Sequence, residues 1–91
     1  MKDDFYTWRR LSMMERRCEM AIVSLSGIVE EIDFLKFLIS SSSIPGSVGS
    51  MDTASGILHA VKQELESISH SARKERVRRQ EKMFDALEDN E

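Results

Sequence analysis

Apolar residues in the first half of the chain recur in steps of three and four. Leu11, Met14, Cys18, Ala21, Leu25, Ile28, Ile32, Leu35 and Ile39 form an unbroken heptad seam, with Leu11 at position a and Met14 at position d. The second half repeats the pattern with Ala54, Leu58, Val61, Leu65, Ile68 and Ala72. Between them lies SSSSIPGSVGSMD, Ser40 to Asp52, with six Ser, two Gly and the only Pro, a composition that favours a turn over a helix. The spacing therefore predicts helix 1 over about 4–39, a Ser/Gly/Pro loop over 40–52 and helix 2 over about 53–88. Asp52 or Thr53 is the expected N-cap, and Ile44 and Val48 are expected to close the end of the core.

Folding at that loop pairs Ile39 with Ala54, Leu35 with Leu58, Ile32 with Val61, Ile28 with Leu65, Leu25 with Ile68 and Ala21 with Ala72. One antiparallel register satisfies all of these layers. The expected fold is all-α: residues 1–91 as a single domain, an antiparallel two-helix hairpin of coiled-coil type. Beyond Ala72 this register sets Glu75 against Cys18, Arg79 against Met14 and Lys82 against Leu11. Either a stutter lets Met83, Phe84 and Leu87 meet Leu11, Trp8 and Phe5, or the open ends splay until a partner orders them.

The first helix carries a second apolar face. Met13, Met20, Val23, Phe34 and Phe37 fall at positions c and f, the side that a hairpin turns to water, and Gly27 lies in the same stripe. Ile22 and Val29, at position e, widen the main seam. An isolated hairpin needs polar residues on its back. The stripe Met13, Met20, Val23, Gly27, Phe34 and Phe37 is thus the expected oligomer interface, joining hairpins into a four-helix bundle or a larger helical oligomer. Length points the same way: 91 residues bury little core alone, and one cysteine makes no intramolecular disulfide.

The net charge of −3 conceals a segregation. Only Lys36 and Lys62 of the thirteen basic residues lie between Ala21 and Ala72, where Glu30, Glu31, Asp33, Asp52, Glu64 and Glu66 dominate. In a hairpin, Arg9, Arg10, Arg16 and Arg17 approach Arg73, Lys74, Arg76, Arg78, Arg79 and Lys82 at the open end. Phe5, Trp8, Arg9, Arg16, Arg17, Arg76 and Arg79 are accordingly the expected partner-binding residues. They would contact an acidic protein surface or, as a second choice, the backbone of RNA or DNA. No zinc-finger spacing, RNP signature or helix-turn-helix accompanies them.

Catalytic chemistry finds no foothold in the chain. Cys18 sits on the seam as a small core residue, and His59 and His70 stand eleven residues apart, too far along one helix to share a metal. Acidic pairs such as Glu64 and Glu66 lack a cleft that would tune them, and no Gly-rich phosphate loop or nucleophile elbow is present. Ser40 to Ser43 read as a flexible run. The most apolar stretch, Met20 to Ile39, contains Glu30, Glu31, Asp33 and Lys36, which excludes a membrane span. The start of the chain has no signal-peptide core, and with a free cysteine this predicts a cytoplasmic location. The expected function is a non-enzymatic protein–protein interaction module (adaptor, inhibitor or small chaperone) without cofactor or metal. Nucleic-acid binding and a structural bundle subunit are the alternatives.

Overall fold

A computed structural model describes the backbone of residues 2–42 and 48–89, and the side chains of 3–42 and 49–88. Two helices account for all of it: α1, Lys2–Ser42, and α2, Val48–Asp89. They pack as an antiparallel hairpin along their whole length, a rod of 73 × 15 × 14 Å. No proline interrupts either helix. Asp3 and Asp4 in the first turn of α1 suit the positive end of its dipole.

The helices reach further toward each other than the composition of the connection suggests. Gly49, Ser50, Met51 and Asp52, expected in a loop over 40–52, form the first turn of α2. The poor helix propensity of Gly and Ser is outweighed there by tertiary contact: Met51 is half-buried and Asp52 forms an ion pair with Lys36 of α1. Asp52 and Thr53 are therefore not N-caps. Thr53 instead donates its hydroxyl hydrogen bond back to the Gly49 carbonyl at 3.1 Å. The expected closing role of Ile44 and Val48 falls on side chains outside the described residues.

The contact seam is rotated by one heptad position from the expected one. Leu11, Leu25, Ile32 and Ile39 are half-buried and Cys18 is buried, as position a requires. The alternating position is e, occupied by Glu15, Ile22, Val29 and Lys36; at position d, Met14, Ile28 and Leu35 are exposed and only the small Ala21 stays half-buried. On α2, Leu58, Leu65 and Ala72 keep their place, but Ser55, Lys62 and Ser69 replace Ala54, Val61 and Ile68 between them. Arg76, Arg79, Met83 and Ala86 then continue the same alternation of four and three, so no stutter is needed.

Ion pairs explain the rotation. Arg76 donates from Nε to Glu15 Oε2 at 2.8 Å, Arg73 Nε lies 3.3 Å from Glu15 Oε1, and Arg79 donates from Nη1 to Asp4 Oδ1 at 3.0 Å. A seam through position d would have left these charges on the outside. The register shifts as well. With Ala21 beside Ala72, Glu15 would lie level with Arg78 and Lys36 level with Ile57, yet their partners are Arg73, Arg76 and Asp52, all nearer the start of α2.

Candidate interaction surfaces

Rotation of the seam makes its two lips unlike. In an antiparallel pair, residues one place before the e positions of both helices share one side of the rod. Here that side carries Met14, Ile28 and Leu35 from α1 and Val61 and Ile68 from α2, each exposed to a similar degree. The opposite lip carries Ser12, Glu19, Ser26 and Asp33 beside Asp52, His59, Glu66, Arg73 and Gln80. The first lip is apolar along the body of the rod until Glu75 and Lys82 continue it at the open end; the second supplies Asp52 and Arg73 to ion pairs with Lys36 and Glu15, while Glu15–Arg76 and Asp4–Arg79 lie within the seam.

The back of α1 is the second apolar surface. Met13, Met20, Val23, Phe34 and Phe37 are all exposed, Val23 at 73% the most so. Gly27 lies among them with nothing within 4 Å of where a Cβ would stand. These expected interface residues thus occupy one face, turned away from α2. Shallow hollows run along its first half: one between Tyr6, Arg9, Arg10 and Met13, another between Met13, Arg16, Arg17 and Met20. A third lies between Arg16, Glu19, Met20, Val23 and Ser24. Each contains a diamond of residues i, i+3, i+4 and i+7 on a single helix, the shape of hole that receives a side chain from a facing helix.

At the open end the expected cation cluster divides. Arg76 and Arg79 turn into the seam, where Arg79 also donates to Glu75 at 3.1 Å and Arg76 to Gln80 at 3.4 Å. Arg9, Arg16 and Arg17 stay on the back of α1 and, among the described residues, form no ion pair. Arg10 lies over the Tyr6 ring, 5.6 Å from its centre. The two groups of arginines thus face different ways and do not converge as a clamp.

The aromatic residues of this end do converge. Phe5 stacks on Trp8 with ring centres 6.1 Å apart, and both line a cleft of about 170 Å³ with Gln80, Met83, Phe84 and Leu87. Trp8 Nε1 is shielded from solvent without an acceptor, which costs of order 1–3 kcal/mol. Glu75 is held below the usual carboxylate range, chiefly by the hydrogen bond from Arg78 and further by Arg79. Correspondingly, Arg78 is raised by Glu75, and Lys36 is raised by its hydrogen bond to Asp52.

The chain matches no family model, no curated protein and no solved structure. Among the described residues no three His, Cys, Asp or Glu side chains group as a metal site, and no helix is long and apolar enough to cross a membrane. Cys18 is buried in the seam. Sequence reasoning missed Glu15 and Asp4 as the partners of the open-end arginines Arg73, Arg76 and Arg79. A signal existed: Glu15, Ile22, Val29 and Lys36 are spaced by seven, as are Asp4, Leu11 and Cys18.

Proposed function

We propose that the protein is a non-enzymatic protein-interaction module, an adaptor, inhibitor or small chaperone, that works by packing its open apolar surfaces against another protein. One observation carries this reading. Among the described residues only Cys18, Val29 and Ala72 form a buried apolar core, while seventeen large hydrophobic side chains are exposed. A rod of two helices with so little inside and so much outside is half of a packing unit. The apolar lip and the back of α1 are long, narrow strips, the shape that fits a helix of a partner. Met13, Met14 and Met20 contribute flexible, polarisable side chains that adapt to such a partner.

Binding through the basic open end is less well supported than binding through these strips. Arg76 and Arg79 are already engaged by Glu15, Asp4 and Glu75, which removes half of a convergent phosphate clamp. Replacing Val23 and Ile28 with Asp, one on each strip, tests the reading. Complexes recovered with the tagged protein should be lost while the far-ultraviolet helical signal of the purified chain remains. Recovery of the same complexes by the double variant would contradict it.

A further inference from the structure

We propose that the back of α1 is covered by a second copy of this chain, with the two α1 helices antiparallel and crossing near Val23. The inference rests on the reading of that face as a contact surface, and it specifies the occupant.

Charge placement is the first argument. Arg16 and Arg17 precede Val23 and Ser24 by one heptad, and Glu30 and Glu31 follow them by one heptad. A two-fold axis near Val23 therefore brings Arg16 to the partner's Glu30 and Arg17 to the partner's Glu31, and repeats both contacts by symmetry. A parallel arrangement would set arginine on arginine and glutamate on glutamate. The state of these groups in the hairpin agrees. Charges along the seam (Asp4, Glu15, Lys36, Arg76 and Arg79) form cross-helix ion pairs, whereas Arg16, Arg17, Glu30 and Glu31 form none among the described residues.

Shape is the second argument, and the same centre organises it. Met13 and Phe34 lie at nearly equal distances on either side of Val23 and Ser24, as do Met20 and Gly27. In the antiparallel pair, Met20 reaches the partner's Gly27, where the helix surface lacks a Cβ and nothing crowds the position. Phe34 comes to the half of the partner's α1 where the diamond-shaped hollows lie, flanked by arginines that favour an aromatic face. Val23, exposed at 73%, sits at the crossing. The apolar lip lies on another side of the rod and stays open to a different protein.

Charge reversal tests the arrangement in the full chain. The variant Arg16→Glu/Arg17→Glu alone, and the variant Glu30→Arg/Glu31→Arg alone, should each self-associate about tenfold or more weakly than the wild type. Mixed together they should form a heterodimer, and the fourfold variant carrying all of these exchanges should regain self-association. Orientation is read by cross-linking in a Cys18→Ser background. Val23→Cys should form a disulfide with its own copy and Met13→Cys should not, whereas Met13→Cys mixed with Phe34→Cys should. Self-linking of Met13→Cys, or a fourfold variant that stays dissociated, would overturn the antiparallel order. A wild-type chain that sediments as a monomer would overturn the second copy as occupant. If cellular complexes were still lost on Val23→Asp, the broader interaction reading would nevertheless stand.

Discussion

The two faces of α1 invert the usual distribution of residues. Toward α2 it presents Asp4, Glu15 and Lys36 among its aliphatics; toward solvent it presents Met13, Met20, Val23, Phe34 and Phe37. The contrast separates two tasks. The inner face fixes direction and register, because ion pairs at Glu15–Arg76, Asp4–Arg79 and Lys36–Asp52 are satisfied together in one alignment of the helices. The outer face has apolar area to contribute but nothing within the hairpin to cover. A charged seam and an apolar back leave the large hydrophobic side chains of α1 on the side with fewer internal constraints.

The largest difference between the faces is expected when the same charge is placed on each. Val29→Asp buries a carboxylate at a position only 6% exposed, so it should cost more than about 3 kcal/mol and abolish the cooperative unfolding transition. Val23→Asp should change the stability of the hairpin by less than about 0.5 kcal/mol when measured at high dilution. Equal losses from the two variants would show that the faces do not differ in this way.

Glu15 gives the next largest effect. Its side chain is only 10% exposed and serves both Arg73 and Arg76, so Glu15→Ala should cost about 2–3 kcal/mol by chemical denaturation. The pair Glu15→Leu/Arg76→Leu should recover most of that loss, since it leaves neither charge uncompensated. Gly27→Ala should act in the opposite direction. A Cβ there meets nothing within 4 Å in the hairpin, so the dissociated chain gains about 0.5–1 kcal/mol from helix propensity, read as a raised Tm at high dilution.

The smallest effect is electrostatic and exposed. Because Arg78 lowers the Glu75 pKa in the folded chain, this contact contributes above the unfolded-state pKa and is lost as pH falls through the lower, folded value. By carboxyl NMR, Glu75 should titrate below an ordinary glutamate, and Arg78→Ala should move it upward. An unchanged midpoint in Arg78→Ala would remove that contact from the account.

The hairpin itself was legible because heptad spacing survives rotation by one place. Leu11, Cys18, Leu25, Leu58, Leu65 and Ala72 belong to the seam in either alignment. Apolarity alone could not choose between Met14, Ile28 and Leu35 and their neighbours Glu15, Val29 and Lys36. A rule that excludes charge from a seam selects the first group, although long charged side chains line a two-helix seam while keeping their tips hydrated or paired. The same omission made the register fail beyond Ala72, where Arg76 and Arg79 are seam residues. The connection is shorter than its composition predicts, because the weak helix propensity of Gly49 and Ser50 is a local signal and the Lys36–Asp52 contact is not. The exposure of the stripe on the back of α1 was legible, because it depends only on which side α2 occupies.

Sedimentation equilibrium of the wild type beside Val23→Asp, at tens of micromolar, reads whether the back of α1 joins two copies of the chain. The wild type should sediment at twice the 10.5 kDa chain mass and the variant at the chain mass, both fully helical. A monomeric wild type, or a variant that associates as the wild type does, would contradict that pairing.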